Sequence, residues 1–186
     1  FGTGMGAGLI LDGKLYTGAN DMAGEVGHIR LAEHGPVGYG KPGSFEGFCS
    51  GGGIAQLARI KAREWLAAGK RVSFCPAIAD LDRITAKSVG EAARQGDELA
   101  REIYRISGEK LGHALAILID VLNPEKIVIG SIYTRQQALL EPWVTKVIER
   151  EALAISRGAC AIVPSRFGDR LGDYAGLSVA LHALDT

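Results

Sequence analysis

The chain has 186 residues, of which 47% are hydrophobic, and this is enough for one globular domain with a sizeable core. Its 21 Lys and Arg residues equal its 21 Asp and Glu residues, so a net charge of zero gives no general attraction to nucleic acid or to an anionic membrane. The three cysteines lack metal-binding or disulfide spacing, and no apolar run could span a bilayer, so we expect a cytoplasmic protein with reduced thiols.

The first quarter of the chain predicts short strands joined by tight turns. Residues 6–11 and 14–17 are predicted strands on either side of Asp12-Gly13, a hairpin turn signal. Residues 28–32 predict a third strand, and three successive strands predict an antiparallel meander. Residues 34–53 are rich in Gly and contain prolines, which predicts a long loop, and long ordered loops are usually functional.

The rest of the chain predicts helices that alternate with short strands. From apolar periodicity and capping residues, including Ser88 and Asp97 as N-caps, we predict helices over residues 53–68, 88–94, 97–123, 134–155 and 172–184. Residues 114–122 are apolar almost all round, which is typical of a buried helix. Short strands are predicted over residues 126–130 and 159–164. The alternation indicates an α/β domain with a mixed sheet. Because ligands bind at the carboxyl ends of strands in such sheets, Gly130 and its neighbours are candidate site residues.

A glycine-rich turn opens the chain, with Gly2, Gly4, Gly6 and Gly8 around Thr3. Backbone N–H groups in such a turn can converge on an anion, and the Thr hydroxyl adds a donor. The turn precedes a strand rather than a helix, which is the reverse of a dinucleotide-binding fingerprint. Two interpretations remain open, a phosphate-binding loop and a strand start that needs glycine for close packing.

Two carboxylates and a histidine lie among glycines in the same region. Glu25 is flanked by Gly24 and Gly27 and shortly precedes His28, and Glu46 lies in the predicted long loop. Carboxylates accept hydrogen bonds from hydroxyls, so this set suits a polyol ligand. A purely structural role is the alternative for either glutamate alone.

Taken in order, these segments resemble the ROK family (repressor, open reading frame, kinase). The matching stretches are residues 2–15, 18–20, 23–28, 43–46, 123–130 and 172–177. The resemblance implies an actin-like ATPase (ribonuclease H-like) fold of two lobes around a cleft. Residues 1–186 would form the single carboxyl-terminal lobe, an α/β mixed sheet with an antiparallel meander followed by alternating helices and strands. Phe1 leads directly into the glycine turn without a Met or leader, so we expect an amino-terminal lobe to precede it.

The resemblance also implies roles for individual residues. Matches to the family's second phosphate loop, which holds ATP phosphates through backbone amides, are Gly2, Thr3, Gly4 and Gly6. The positions where the family's backbone approaches adenosine are Gly130 and Ser131. The implied sugar-binding residues are Glu25, His28, Glu46 and Asn20.

The chain departs from the family at a metal site. Many members bind a structural zinc through the histidine that matches His28 and three cysteines. The three cysteine positions hold other residues here, Val37, Tyr39 and Ser44. Because Val and Ser are not zinc ligands, we predict no structural zinc. We expect Tyr39, Phe45 and Phe48 to pack together and hold the loop instead.

The family's first phosphate loop and catalytic aspartate lie in its amino-terminal lobe, so we assign no catalytic residue in this segment and expect it to be inactive alone. The leading hypothesis is an ATP- and Mg²⁺-dependent kinase of a hexose or N-acetylhexosamine. The alternatives are a sugar-sensing transcriptional regulator without turnover, and a carboxyl-terminal lobe used for subunit assembly. Expected partners are the sugar, ATP and the amino-terminal lobe, and the family implies a homo-oligomer. The neutral charge predicts no direct nucleic acid contact by this segment.

Overall fold

The computed structural model describes residues 1–184, and helices make up most of them. The helices are α1 (Phe45–Cys49), α2 (Gly51–Ala67), α3 (Ala86–Arg94), α4 (Glu98–Leu122), α5 (Ile132–Glu151), α6 (Ala154–Ala159) and α7 (Leu171–Leu184). The strands are β1 (Leu9–Leu11), β2 (Lys14–Tyr16), β3 (Val37–Gly38), β4 (Lys41–Pro42), β5 (Lys126–Ile129) and β6 (Ala161–Pro164).

Helix α4 is the centre of the core, and its ends are determined by local chemistry. The Asp97 carboxylate accepts a 2.8 Å hydrogen bond from the Ala100 N–H, as an N-cap does. At the other end Asn123 adopts a left-handed conformation with φ 45°, a common helix stop, just before Pro124. These two ends agree with the helix bounds predicted from the sequence.

Helices α4 and α5 pack closely because two glycines of α4 face α5. A Cβ at Gly112 would lie 2.7 Å from Cβ of Val147, and one at Gly108 would lie 2.9 Å from Cβ of Trp143. The largest fully buried side chains lie around this contact and along α2 and α3, and include Ile54, Val89, Leu99, Ile103, Tyr104, Leu111, Ile119, Tyr133 and Leu140. Full burial of one such aliphatic side chain contributes roughly 1.5–3 kcal/mol.

The strands of the described residues form three two-stranded sheets, and the predicted single mixed sheet is not confirmed. β1 and β2 are antiparallel, with Leu9 opposite Tyr16, and β3 and β4 form a second antiparallel hairpin. β5 and β6 are parallel. The chain therefore has an α/β fold in which parallel and antiparallel pairs are separate.

The prediction of a third meander strand over residues 28–32 is wrong. Val26–His28 form a 3-10 turn, and Arg30 makes only an isolated bridge with Ser44. The backbone of this segment bonds with the loop that follows it, since the Phe45 N–H donates to the Ile29 carbonyl at 2.8 Å. These groups are therefore not available to extend the β1–β2 hairpin.

The predicted loop over residues 34–53 also contains regular structure. Ser44 caps α1 by accepting a 3.1 Å hydrogen bond from the Gly47 N–H, and Ser50 caps α2 by accepting one of 3.0 Å from the Gly53 N–H. Two serine caps so close together start two helices where the glycine content suggested a loop.

Two helix predictions further along need correction. α3 begins at Ala86 because Thr85 is its N-cap, and Ser88 completes the capping box instead of starting the helix. The single helix predicted over residues 134–155 is divided into α5 and α6. The Asp120 carboxylate accepts a 2.9 Å hydrogen bond from the Leu153 N–H in the break between them.

The second half of α4 is not buried on every side, contrary to the prediction from its composition. Ile117 and Val121 are 41% and 74% exposed, and on the neighbouring strand β5 Val128 is 60% exposed. On α7 Leu177 and Val179 are also exposed. Within residues 1–184 no helix has the length and apolar character needed to cross a lipid bilayer.

Candidate functional site

The glycine turn at residues 2–8 is anchored to the start of α1 and α2. The backbone N–H of Met5 donates a 2.9 Å hydrogen bond to Oε2 of Glu46. The carbonyl of Gly2 accepts a 2.7 Å hydrogen bond from the N–H of Gly51, in the first turn of α2. The turn and the Glu46 carboxylate therefore belong to one site, although the sequence separates them.

The backbone of the turn remains open between and beyond these anchors. Thr3, Gly4 and Gly6 are exposed. A Cβ at Gly4 would lie 3.1 Å from Oε2 of Glu46, whereas a Cβ at Gly6 would meet no described atom within 4 Å. Exposed amides and a hydroxyl in one turn are suited to contact an anion such as a phosphate.

A cavity of about 480 Å³ opens beside this turn. Its lining residues are Met5, Met22, Glu25, Gly27, His28, Tyr39 and Glu46. Three of the sequence-predicted sugar-binding residues, Glu25, His28 and Glu46, therefore meet in one cavity. Asn20 is exposed in the bend after β2 and is not among the lining residues.

The glycines around Glu25 allow its segment to pack backbone to backbone against the chain before β1. The N–H of Ala7 donates a 2.9 Å hydrogen bond to the carbonyl of Gly24, which has a φ of 94°. A Cβ at Gly27 would lie 2.6 Å from the carbonyl oxygen of Met5, closer than real Cβ contacts. Glycine at these positions thus holds Glu25 and His28 next to the anchored turn.

The β3–β4 hairpin closes one side of the cavity. The ring of Tyr39 at its tip makes an edge contact with the ring of His28, with 6.2 Å between the centroids. Lys41 Nζ donates a 2.8 Å hydrogen bond to the His28 carbonyl. Phe45 and Phe48 are buried as predicted, but Tyr39 is 90% exposed, so the prediction that it packs to hold the loop is wrong.

Hydrogen bonds hold the segment that contains Val37 and Ser44, two of the positions that the resemblance matches to zinc-binding cysteines. Oε1 of Gln56 accepts a 2.6 Å hydrogen bond from the Val37 N–H, and the Ser44 hydroxyl donates one of 3.4 Å to the Gly38 carbonyl. Gln56 was not identified from the sequence, because a glutamine on a helix carries no signal of its partner. Its amide also donates a 3.4 Å hydrogen bond to the Val37 carbonyl, and both bonds depend on how α2 and the hairpin pack.

The residues at this position do not fit a zinc ion. Among the described residues, no group of three or more His, Cys, Asp or Glu side chains could hold a metal. The nearest cysteine in sequence, Cys49, is fully buried, and its thiol donates to the Ser107 carbonyl at 3.4 Å. Burial raises the pKa of the Cys49 thiol to about 12, which disfavours the thiolate that zinc requires.

The carboxyl end of β5 reaches the glycine turn from the other side. The N–H of Ile132 donates a 3.1 Å hydrogen bond to the carbonyl of Phe1. A Cβ at Gly2 would lie 3.6 Å from Oγ of Ser131, which follows Gly130. The two sets of residues predicted to contact ATP, from the turn and from the end of β5, are therefore neighbours.

Ser131 has an unusual backbone conformation at this junction. Its φ is 58° and its ψ is −113°, a region that a residue with a Cβ rarely adopts. Its hydroxyl accepts a 3.0 Å hydrogen bond from Nη2 of Arg135, one turn further along α5. This strained turn places the start of α5 beside the glycine turn.

Comparison with known proteins identifies relatives across most of the chain. A family model described as the ROK family matches residues 1–180. The DNA-binding transcriptional dual regulator NagC of Escherichia coli K12 is 33% identical over 175 residues, which are 92% of this chain and 41% of NagC. A glucokinase of Halalkalibacterium halodurans is 37% identical over 147 residues, which are 76% of this chain and 42% of that protein. The chain thus spans less than half the length of these relatives.

Solved structures divide between the same two kinds of protein. A ROK family transcriptional regulator, a homologue of the E. coli Mlc protein, superposes with a TM-score of 0.72 at 31% sequence identity. The match covers 89% of this chain and 40% of the regulator's chain. A ROK family glucokinase from Streptomyces griseus, in complex with glucose and AMPPNP, gives a TM-score of 0.71 at 26% identity over 91% of this chain and 55% of its own. Sugar kinases and transcriptional regulators therefore both occur among the relatives.

Proposed function

Because this chain belongs to the ROK family, we propose that it is the carboxyl-terminal lobe of an actin-like, two-lobe sugar kinase that phosphorylates a hexose or an N-acetylhexosamine with ATP. The observation that carries this proposal is the hydrogen bond from Met5 to Glu46, which joins an amide-rich turn to a carboxylate-lined cavity. A phosphate donor and a sugar acceptor have to meet at such a junction for phosphate transfer.

The sugar half of the site consists of Glu25, His28 and Glu46. Carboxylates accept hydrogen bonds from hydroxyls, and charged acceptors bind more strongly than neutral ones. Glu46 accepts from Met5 with one oxygen and keeps lone pairs for a ligand hydroxyl. These side chains orient the sugar, and orientation of a reacting hydroxyl contributes to catalysis by raising its effective concentration.

The nucleotide half consists of the turn that holds Gly2, Thr3, Gly4 and Gly6, together with Gly130 and Ser131. Backbone amides aimed at phosphate oxygens stabilise the charge that develops during phosphoryl transfer. Mg²⁺, when bound with ATP, would neutralise further charge on the phosphates. Glu25 and Glu46 are assigned to sugar binding, and in this proposal the general base comes from the other lobe.

The amino-terminal lobe completes the site in this proposal. Two observations support it: the chain spans 41% of the length of NagC, and apolar side chains such as Val121, Val128 and Val179 are 60–74% exposed. A lobe that packs on these side chains would bury their exposed apolar surface. A cytoplasmic location and a homo-oligomer remain predictions.

A second candidate is a sugar-sensing transcriptional regulator that binds the same ligand without turnover. This candidate is supported by the similarity to NagC, which covers 92% of this chain, and by the similarity to the Mlc-like regulator structure, which covers 89% of it. Both candidates need the sugar cavity. Only the kinase needs a functional ATP site.

The test uses the complete protein that contains this chain. Calorimetric titration with D-glucose and with N-acetyl-D-glucosamine should show binding of one of them, and Glu25→Ala should weaken it about tenfold or more. Glu33→Ala is the matched control, because the Glu33 side chain is 88% exposed and does not line the cavity. The wild type should also form ADP in the presence of that sugar. Sugar binding without ADP formation would support the regulator, and no binding of either sugar would refute both candidates.

A further inference from the structure

We propose that Tyr39 is a ligand-binding residue of the same cavity, where its ring packs on the apolar C–H face of a sugar ring. This proposal rests on the proposed function, because it requires that the cavity takes a sugar. The two carboxylates, which are charged hydrogen-bond acceptors, cannot supply this contact. A sugar ring presents hydroxyls at its edge and C–H groups on its faces, so a complete site needs both kinds of partner.

The cavity lining divides into these two kinds of surface. Glu25, His28 and Glu46 provide polar groups, and Tyr39 with the two methionines provides apolar surface. An aromatic ring offers a large contact area at a low conformational-entropy cost, because tyrosine has only two side-chain torsions. Met side chains can adapt to the shape of the ligand.

The exposure of Tyr39 leaves its ring accessible to a ligand in the cavity that it lines. It is 90% exposed, whereas Phe45 and Phe48 of the same loop are 3% and 5% exposed and supply the packing. A tyrosine ring in solvent forgoes the burial that normally makes aromatic residues favourable. Ligand binding would recover that burial.

The backbone at Tyr39 holds the ring in place at some cost. Its φ is 44°, a left-handed conformation that residues with a Cβ adopt only at about 1–2 kcal/mol, and Gly40 follows with a φ of 74°. Asn, Asp or Gly would suit this hairpin turn better. Strain of this kind concentrates at functional sites, where the surrounding structure maintains it. Here Gln56 bonds the hairpin through Val37.

The test compares three variants of the complete protein in calorimetric titrations with D-glucose and N-acetyl-D-glucosamine. Tyr39→Ala should weaken binding about tenfold, since aromatic contacts contribute strongly beyond their area. Tyr39→Phe keeps the ring and should bind within about twofold of the wild type. Tyr16→Ala is the matched control, because Tyr16 is 51% exposed on β2 and does not line the cavity.

Proton NMR of the bound sugar separates direct contact from an effect through His28, whose ring touches Tyr39. A stacked ring should shift C–H protons of the bound sugar upfield in the wild type and in Tyr39→Phe. Weaker binding by Tyr39→Ala without such shifts in the wild type would overturn direct stacking. Unchanged sugar affinity in Tyr39→Ala would overturn the Tyr39 proposal and leave the proposed function intact. Equal losses of affinity in Tyr39→Phe and Tyr39→Ala would assign the effect to the Tyr39 hydroxyl and would also overturn ring stacking. If the wild type bound neither sugar, that result would refute the proposed function and, with it, the role of Tyr39.

Discussion

The backbone N–H of Met5 and the carboxylate of Glu46 are joined by a 2.9 Å hydrogen bond across a separation of 41 positions. Met5 belongs to the glycine turn, and Glu46 belongs to the short helix α1. A carboxylate that accepts from the turn and also lines the cavity couples the two halves of the candidate site. Changes at either residue should therefore affect both ligands.

Removal of the Glu46 carboxylate should weaken both sugar and nucleotide binding. Glu46→Ala leaves the Met5 N–H without its acceptor, and hydrogen bonds to charged groups are worth about 1.5–3 kcal/mol, or roughly 10- to 150-fold in affinity. Glu46→Gln keeps an amide oxygen for Met5 and should retain more of the affinity for AMPPNP than for sugar. Titrations of the complete protein with AMPPNP and with D-glucose measure both, and Glu33→Ala is the exposed control. Unchanged AMPPNP affinity in Glu46→Ala would contradict the coupling.

A methyl group at Gly27 should displace the two segments that form the site. Its Cβ would lie 2.6 Å from the Met5 carbonyl oxygen, so one backbone segment must move. Overpacking of this kind costs about 1–3 kcal/mol of unfolding free energy. Gly8→Ala is the control, because its Cβ would meet no described atom within 4 Å. Thermal unfolding should show a clearly lower Tm for Gly27→Ala than for Gly8→Ala, and equal Tm values would disprove the close approach.

Loss of Gln56 should loosen the β3–β4 hairpin. Gln56→Ala removes the acceptor of the 2.6 Å hydrogen bond from the Val37 N–H, and we expect a loss of about 0.5–1.5 kcal/mol in unfolding free energy. Gln137→Ala is the control, because the hydrogen bonds of Gln137 within the described residues go to Glu141, one turn away on an exposed helix surface. Amide hydrogen exchange should accelerate at Val37 in Gln56→Ala and stay unchanged in Gln137→Ala. Equal protection of the Val37 amide in both variants would argue against a stabilising Gln56–Val37 hydrogen bond.

The hairpin should hold its conformation without a metal. The side chains of Val37, Tyr39 and Ser44 offer no thiolate, and Ser44 already bonds to the backbone of Gly38 and Gly47. We therefore expect the purified protein to contain far less than one zinc per chain, and its Tm to stay the same after dialysis against EDTA. Elemental analysis and thermal unfolding measure these properties. One tightly held zinc per chain would refute this prediction.

The Asp97 cap should make stability depend on pH in a defined direction. Partial burial by itself raises the pKa of the Asp97 carboxyl, but hydrogen bonds from Ser73 and Ala100 outweigh it and hold the pKa below the ordinary value of 3.8. A depressed pKa means that the carboxylate stabilises the fold above about pH 4, and that this contribution is lost as the pH falls through the folded-state value.

The variant Asp97→Asn tests this pH dependence, because Asn is also a good N-cap but does not titrate. Its Tm should lie below that of the wild type at pH 7, and the difference should shrink toward pH 3. Asp82→Asn is the control, since Asp82 is exposed in the 3-10 segment before α3. A Tm difference between Asp97→Asn and the wild type that stays constant from pH 7 to pH 3 would contradict the assignment.

Two features that local sequence determines, the bounds of α4 and the β1–β2 turn, were predicted correctly. Asp97 and Asn123 place the ends of α4, and the Asp12-Gly13 turn places the β1–β2 hairpin, because capping and turn formation involve residues a few positions apart. The ordered series of motifs also identified the family, whose model matches residues 1–180. The assigned roles of the site residues stay predictions.

Features that depend on distant contacts were missed or predicted wrongly. The strand expected over residues 28–32 does not form, because its backbone bonds with the loop near Phe45. The partnership of Gln56 with Val37 and the 90% exposure of Tyr39 likewise depend on how the hairpin packs against α2.

The sequence alone determined which chemical groups this protein possesses and where helix α4 begins and ends. Only the tertiary structure decided that the glycine turn, the Glu25 segment and Glu46 meet around one cavity. The physical reason is that hydrogen bonds between distant segments form only when glycines let the chains approach. Examples are the bond from the Met5 N–H to the Glu46 carboxylate and the bond from the Ala7 N–H to the Gly24 carbonyl.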